Sequence, residues 1–268
     1  MAISAADVQA LRRATGAGMM DAKKALEEVG GDQDAAAKLL RERGLAGAAK
    51  RDDRENSQGA VALLINPEHT VGAIIELKCE TDFVAKSKEF VGLANKLVAS
   101  VASSSDAPEA VTESFSDEIE ALKITLKENI AIGRLTRFAT QSPHVIDGYL
   151  HIQSERGVQA VLVEIDGGSV ELAHDIAVHI GFAKPTYLCR EDVPSDIVEA
   201  ERVTLEAISR NEGKPEAALQ KIIEGRLNGF FRQICLIEQD YAKDDKQSVA
   251  QILGKHKIIR FSQVIVGA

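Results

Sequence analysis

The sequence predicts an α+β protein. An N-terminal three-helix bundle is followed by a duplicated core of two similar subdomains with antiparallel sheets, and an antiparallel helical hairpin interrupts the second. Three observations carry this prediction. Over residues 4–44, apolar residues recur at helical spacing between capping residues and glycines. Beyond Gln58 the pattern changes to the Val-, Ile- and Leu-rich runs of strands. One strand–helix unit then occurs twice: residues 158–165 mirror residues 71–77, and Leu172-Ala173, Ile176 and Ile180 repeat the spacing of Leu93-Ala94, Leu97 and Val101. With 268 residues, 45% of them hydrophobic, the chain has material for about two domains and a sizeable core.

Each element has its own signal. Ser4 followed by Asp7 resembles a capping pair for a first helix, which turns Val8 and Leu11 inward and stops near Thr15-Gly16. A second helix covers residues 20–29 with Ala22, Ala25, Leu26 and Val29 on one face, and ends at Gly30-Gly31. Asp32 caps a third, with Ala35, Ala36, Leu39 and Leu40 inward and Gly44 past its end. So small an apolar face predicts a bundle that leans on a partner. Residues 50–58 are charged and read as a solvated linker.

Residues 60–65 and 71–77, around a turn at Pro67, predict a hairpin. The helical pattern Phe90, Leu93, Ala94, Leu97, Val101 follows. Ser103-Ser104-Ser105 and Pro108 break the chain before a helix over residues 116–128, and a strand over residues 130–138 closes the unit. In the second copy a terminal strand, residues 257–266, takes that last place. Between them, residues 195–211 and 215–233 form two helices joined by Glu212-Gly213-Lys214, with Pro215 suited to a first helical position. Their seam sets Ile197, Glu201, Thr204 or Leu205, and Ile208 against Leu219, Ile222 or Ile223, Leu227, Phe230 and Ile234. A seam this short buries little, so the hairpin is assigned to interaction, self-association included, rather than to catalysis. The organisation expected is a bundle at 1–49, a linker at 50–58, a first core subdomain at 59–141, a second at 142–191 with 234–268, and the inserted hairpin at 192–233.

The two copies differ at one joint. Leu77 to Leu93 spans 16 positions and Ile165 to Leu172 only 7, so the first copy carries nine extra residues, within segment 79–87. A scaffold that closes without them in one copy does not need them in the other, which marks the segment for function. Two readings of Phe83 stand side by side. Thr81 or Asp82 caps a helix and Phe83 tucks into the core; or, because Phe90 already supplies the inward ring, Phe83 is exposed beside Asp82 as a wedge for a partner's cleft. Met19 and Met20, adjacent and following Thr15-Gly16-Ala17-Gly18, cannot both face one small core, so at least one is available to a partner.

Composition excludes several function classes. The 11 aromatics (eight Phe, three Tyr, no Trp) are scattered, and 32 basic against 41 acidic residues leave a net charge of −9. Neither suits a stacking or phosphate-tracking surface, so no direct nucleic-acid contact is expected. Cys79, Cys189 and Cys235 are widely spaced without CxxC, and no two of the six histidines make HxxxH or HExxH. No metal, cofactor or catalytic residue is expected, nor an enzyme activity. The N-terminal residues show no signal peptide and no apolar run approaches a membrane span, so the expected location is the cytoplasm.

Two segments together resemble the bacterial elongation factor Ts family: Leu11-Arg12-Arg13-Ala14-Thr15-Gly16-Ala17-Gly18-Met19-Met20-Asp21-Ala22-Lys23-Lys24-Ala25-Leu26 and Glu76-Leu77-Lys78-Cys79-Glu80-Thr81-Asp82-Phe83-Val84-Ala85-Lys86. Gly213-Lys214-Pro215, Glu224-Gly225-Arg226 and the order of all elements extend the likeness over nearly the whole chain. The resemblance implies a ubiquitin-associated-like N-terminal bundle and a guanine-nucleotide exchange factor for the GTPase elongation factor Tu. By motif position, Thr81, Asp82, Phe83 and Val84 would disturb the partner's magnesium site, Arg12, Met19 and Met20 would lie on the N-terminal contact surface, and His151 would lie near a distal contact. Lys78 stands where the family more often has a small polar residue. Some members carry a helical module after the terminal strand; here the sequence ends at Ala268, so that contact is expected to be missing or replaced. The rival reading is an adaptor that binds a partner without exchanging its nucleotide.

Overall fold

A computed structural model of the chain describes residues 3–268, and of residues 45, 46 and 49 only the backbone. The bundle consists of α1 (Ala5–Thr15), α2 (Met19–Glu28) and α3 (Gln33–Ala49). Strands β1 (Gln58–Ile65) and β2 (Val71–Cys79) pair as a hairpin, and a single turn, α4 (Asp82–Ala85), leads into α5 (Lys88–Ser103). Short α6 (Pro108–Glu113) and α7 (Ser116–Leu126) return the chain to β3 (Ala131–Ala139). The second copy opens with β4 (His144–Gln153), β5 (Arg156–Asp166) and α8 (Val170–Ala183), followed by the hairpin of α9 (Ser195–Asn211) and α10 (Glu216–Ile234). A two-stranded ribbon, β6 (Asp240–Tyr241) and β7 (Asp244–Ser248), then α11 (Val249–Leu253) and β8 (Lys257–Ile265), complete it.

The duplication is visible in the strand order. Each copy is a three-stranded antiparallel sheet, β1-β2-β3 and β4-β5-β8, with its helix on the outer face. Alternation along the strands explains the layering. Ala60, Ala62, Ile75 and Leu77 face α5, whereas Val61 and Ile74 face the other sheet; in the second copy Val161, Val163 and Ile165 face α8, and Ala160 and Leu162 face the first sheet. The order is therefore helix, sheet, sheet, helix, with Phe138, Ile146 and Val264 completing the middle cluster. Glycine permits the close approach of the sheets: a Cβ at Gly157 would stand 2.1 Å from the Val61 carbonyl oxygen. The buried Arg156 beside it reaches across to donate to the Gly59 carbonyl (2.5 Å).

The repeat reaches into the irregularities. Each middle strand carries a buried glutamate, Glu76 or Glu164, beside a register shift where the third strand holds one extra residue. Glu76 accepts from the Arg134 amide (3.0 Å). Glu164 is met by Thr140 Oγ1 (2.7 Å), His144 Nδ1 (2.8 Å) and Arg260 Nε (2.7 Å). Burial pushes its carboxyl up, but these partners outweigh it and hold it below the usual range.

Ser4 and Asp7 form the predicted capping box, and the bundle core gathers Val8, Leu11, Ala22, Ala25, Leu26 and Ala36. Strand β4, the β6–β7 ribbon and α11 add to the elements read from sequence, Phe231 rather than Phe230 is the buried ring of the hairpin seam, and further details differ. Gly44 does not end the third helix, which runs on to Ala49; its missing Cβ, which would stand 2.7 Å from Ile124 Cγ2, lets α7 come close. The helix expected to reach residue 128 ends at Leu126, because Lys127 takes the left-handed conformation (φ 60°). The segment before β1 is not simply solvated. Arg51 donates to the Lys123 carbonyl (3.2 Å) and Lys123 pairs with Asp52 (3.1 Å). In the hairpin, Val198, Leu205 and Ser209 turn inward on α9, while Ile197, Thr204 and Ile208 are exposed; Pro215 stands one place before its helix. Val198 and Leu205 pack with Leu219, Ile223 and Leu227 of α10 in one cluster, which Val193, just before α9, joins.

Candidate functional site

The nine-residue difference between the copies is spent on α4. Strand β2 ends on the fully buried Cys79, whose thiol burial pushes up to about 12, so it is protonated and inert at neutral pH. The chain then turns at Glu80-Thr81. Thr81 caps the turn, its hydroxyl accepting from the Val84 amide (3.4 Å). Val84 packs on the first core and Ala85 is buried in it. Asp82 and Lys86 pair across one turn at 2.5 Å, and that hydrogen bond holds the Asp82 carboxyl below its usual range. Phe83 has no such anchor. It is 82% exposed, against 0% for Phe90 one element later. In the second copy the same joint is only Gly167-Gly168-Ser169, with Ser169 capping α8 directly (Leu172 amide, 3.2 Å).

Among the two readings of Phe83, its exposure favours the wedge. An apolar ring held in water costs about 1.5–3 kcal/mol relative to burial, and the next two residues, Val84 and Ala85, do pack on the core. The segment is a small cantilever, rigid at its base and bare at its tip.

The structure places the other expected residues on separate surfaces. Arg12 is exposed in the last turn of α1. Met19 and Met20 are exposed at 55% and 61% in the first turn of α2, so both, not one, face solvent. Asp21, next to them, pairs with Lys127 at 3.4 Å, so the start of α2 is tied to the segment that follows α7. His151 lies on the edge strand β4, exposed, with its Nδ1 3.2 Å from the Tyr149 hydroxyl and its ring stacked on that of Tyr149. Ile152 and Phe182, also on the second copy, are 62% and 77% exposed. Neither was singled out from the sequence; the available signal for Phe182 was an aromatic residue lying off the apolar positions that the repeat defines.

The remaining titratable groups do structural work. His69 and His174 both approach Asp147 (3.5 and 3.0 Å), and the buried His179 bonds Gln239 Oε1 through Nε2 (3.0 Å) while its Nδ1 accepts from the Ala242 amide (3.2 Å). Among the described residues no group of three or more His, Cys, Asp or Glu side chains is placed to hold a metal ion. No helix is long and apolar enough to cross a membrane, again among the described residues.

Comparison with known proteins bears on the same segments. A family model described as elongation factor TS matches residues 80–268, starting at the corner before α4. The elongation factor Ts of Renibacterium salmoninarum is 46% identical over 279 residues, covering 99% of this chain and 99% of that protein. That of Streptomyces griseus subsp. griseus is 46% identical, covering 98% of each. That of Clavibacter michiganensis subsp. michiganensis is 48% identical over 259 residues, covering 93% of this chain and 92% of the relative.

Proposed function

The chain belongs to the elongation factor Ts family, a family of translation elongation factors, and from that membership we propose that it is a guanine-nucleotide exchange factor acting on elongation factor Tu. The observation that carries the mechanism is the bare Phe83 on a one-turn helix whose base is fixed in the core. A GTPase holds its nucleotide through backbone amides, a lysine and Mg²⁺ that share the phosphate charge, so displacing one element weakens the rest. Residues 81–84 are assigned to that displacement: Phe83 enters the partner's apolar cleft and Asp82 stands beside it near the magnesium site. Arg12, Met19 and Met20 supply the N-terminal contact, and His151 a distal one.

Coupling is reciprocal. If the factor weakens GDP binding by a given factor, GDP weakens binding of the factor equally. Exchange therefore passes through a nucleotide-free complex that incoming GTP resolves, and the factor accelerates both directions without choosing between nucleotides. No covalent step belongs to this chain. The module boundaries at 49, 58, 141, 191 and 233 are read with the same assignment. The exposed Ile197, Val203 and Ile208 on α9 support self-association through the hairpin; sedimentation across a concentration series tests it.

The test of exchange is release of labelled GDP from elongation factor Tu in a stopped-flow instrument. Wild type is expected to accelerate release, and Phe83→Ala to lose most of that acceleration with its fold intact. Binding without release would support the adaptor reading instead.

A further inference from the structure

We propose that Glu128 is the positioning residue of the wedge, and that with Asn129 it holds the wedge and the N-terminal bundle in one frame. The inference rests on the exchange reading for its functional part. Because Lys127 is left-handed (φ 60°), the chain leaves α7 early and turns Glu128 back onto the corner between β2 and α4. There its carboxylate collects three donors. Oε2 accepts from the Glu80 amide (3.0 Å) and the Thr81 amide (3.1 Å), and Oε1 from the Thr81 hydroxyl (2.5 Å). Hydrogen bonds to an ionised acceptor are about twice as strong as neutral ones, and here all three converge on the two residues that precede α4.

The grip is mutual. The Asn129 amide donates to Glu80 Oε1 (2.7 Å), so each strand end holds the other through a carboxylate. The Asn129 side chain, 5% exposed, donates to the carbonyls of Asp52 (2.9 Å) and Arg54 (2.8 Å), fixing the segment that leaves the bundle. Arg54 pairs in turn with Glu80 (3.4 Å), and Lys127 with Asp21 beside Met20 (3.4 Å). Three consecutive residues, 127–129, thus touch the start of α2, the outgoing linker and the base of the wedge. Phe83 itself is bare, so its place relative to Met19 and Met20 is set by whatever fixes Thr81. Working groups need supporting contacts that hold them to within about 0.5 Å, and misplacement by about 1 Å can cost on the order of 100-fold in rate.

A structural role alone would lower stability; a positioning role separates two kinetic quantities. The full-length protein is tested as wild type, Glu128→Ala, Glu128→Gln and Phe83→Ala in stimulated release of labelled GDP from elongation factor Tu. Glu128→Ala is expected to lower the rate at saturating factor by about tenfold or more while the half-saturating concentration, set largely by the intact bundle surface, changes little. Glu128→Gln keeps an acceptor of the same shape for the two amides and is expected to restore most of the rate. The chain has no Trp, so Phe83→Trp introduces a single indole whose nanosecond anisotropy reports the order of the wedge without any partner. In that background Glu128→Ala is expected to free the indole and Glu128→Gln to leave it held.

Should Glu128→Ala fail to fold, Glu128→Asp, which keeps the charge on a shorter stem and leaves the Thr81 cap on α4 in place, carries the same two measurements with a smaller expected loss. Unchanged indole anisotropy together with an unchanged saturating rate overturns the positioning role, as does an equal loss in Glu128→Ala and Glu128→Gln. If Phe83→Ala leaves release unaffected, the exchange mechanism fails while the anisotropy still decides the clamp.

Discussion

The two copies of the core share strand order, outer helix, sheet-to-sheet face and even a buried glutamate beside a register shift, yet they are built out at different joints. The first copy lengthens the corner between its middle strand and its helix, and projects one aromatic ring from it. The second leaves that corner as Gly167-Gly168-Ser169 and inserts a 40-residue-scale helical hairpin after its helix instead, as the span from α9 through α10 shows. Duplication here separates what the scaffold requires from what it merely carries. The shared positions hold the fold; the unshared ones are free to work on a partner.

That division is open to attack, and the largest effect is expected on the shared side. Phe90→Ala removes a fully buried ring and should cost about 3–5 kcal/mol of unfolding free energy, measured by denaturant titration. Phe83→Ala, seven positions earlier and exposed, should change stability by no more than about 0.5 kcal/mol. A comparable stability loss in both would erase the distinction. On the functional readout the order reverses: Phe83→Ala should slow stimulated GDP release by about 30-fold, the scale of a central anchor worth about 2 kcal/mol.

A smaller effect sharpens the role of the bundle. Met19→Ala and Met20→Ala should each weaken binding to the partner by about 1 kcal/mol, or roughly fivefold, seen as a raised half-saturating concentration with the saturating rate retained. Loss of the rate instead would make these methionines part of the wedge.

The smallest concerns the second copy alone. Burial lowers the pKa of His179 from the unfolded value of 6.5, so between the two values the unfolded chain binds the extra proton. The neutral ring's contribution is complete above pH 6.5 and is lost as pH falls through the lower folded value, since a second ring proton would face the Ala242 amide N–H that now donates to Nδ1. The difference in stability between wild type and His179→Gln should therefore shrink from pH 8 towards pH 5. A difference independent of pH would show that the imidazole carries no proton linkage.

Much of this was legible in the residues. The capping box, the repeat spacing and the length difference at the joint follow from local pattern, because periodicity and chain length are properties of sequence itself. Gly44 misled because a glycine that permits a helix to approach a neighbour is written with the same letter as one that ends a helix. The frame of α9 was off by one since both Ile197 and Val198 are apolar and only the docked hairpin chooses between them. Glu128 was invisible for a deeper reason. Two of its three donors are backbone amides, which every residue but proline possesses, and the third, the Thr81 hydroxyl, reads in the sequence only as a helix cap.

The position of the wedge at the end of β2 has a mechanical consequence. Anything that prises two parts of another protein apart receives an equal thrust in return, and a loop would buckle under it. On the proposed wedge reading the recoil would pass from Phe83 through the turn into a strand hydrogen-bonded on both edges and buried on both faces. From there it would spread through two stacked sheets, so on that reading the energy of docking is expected to go into deforming the partner rather than into bending the tool.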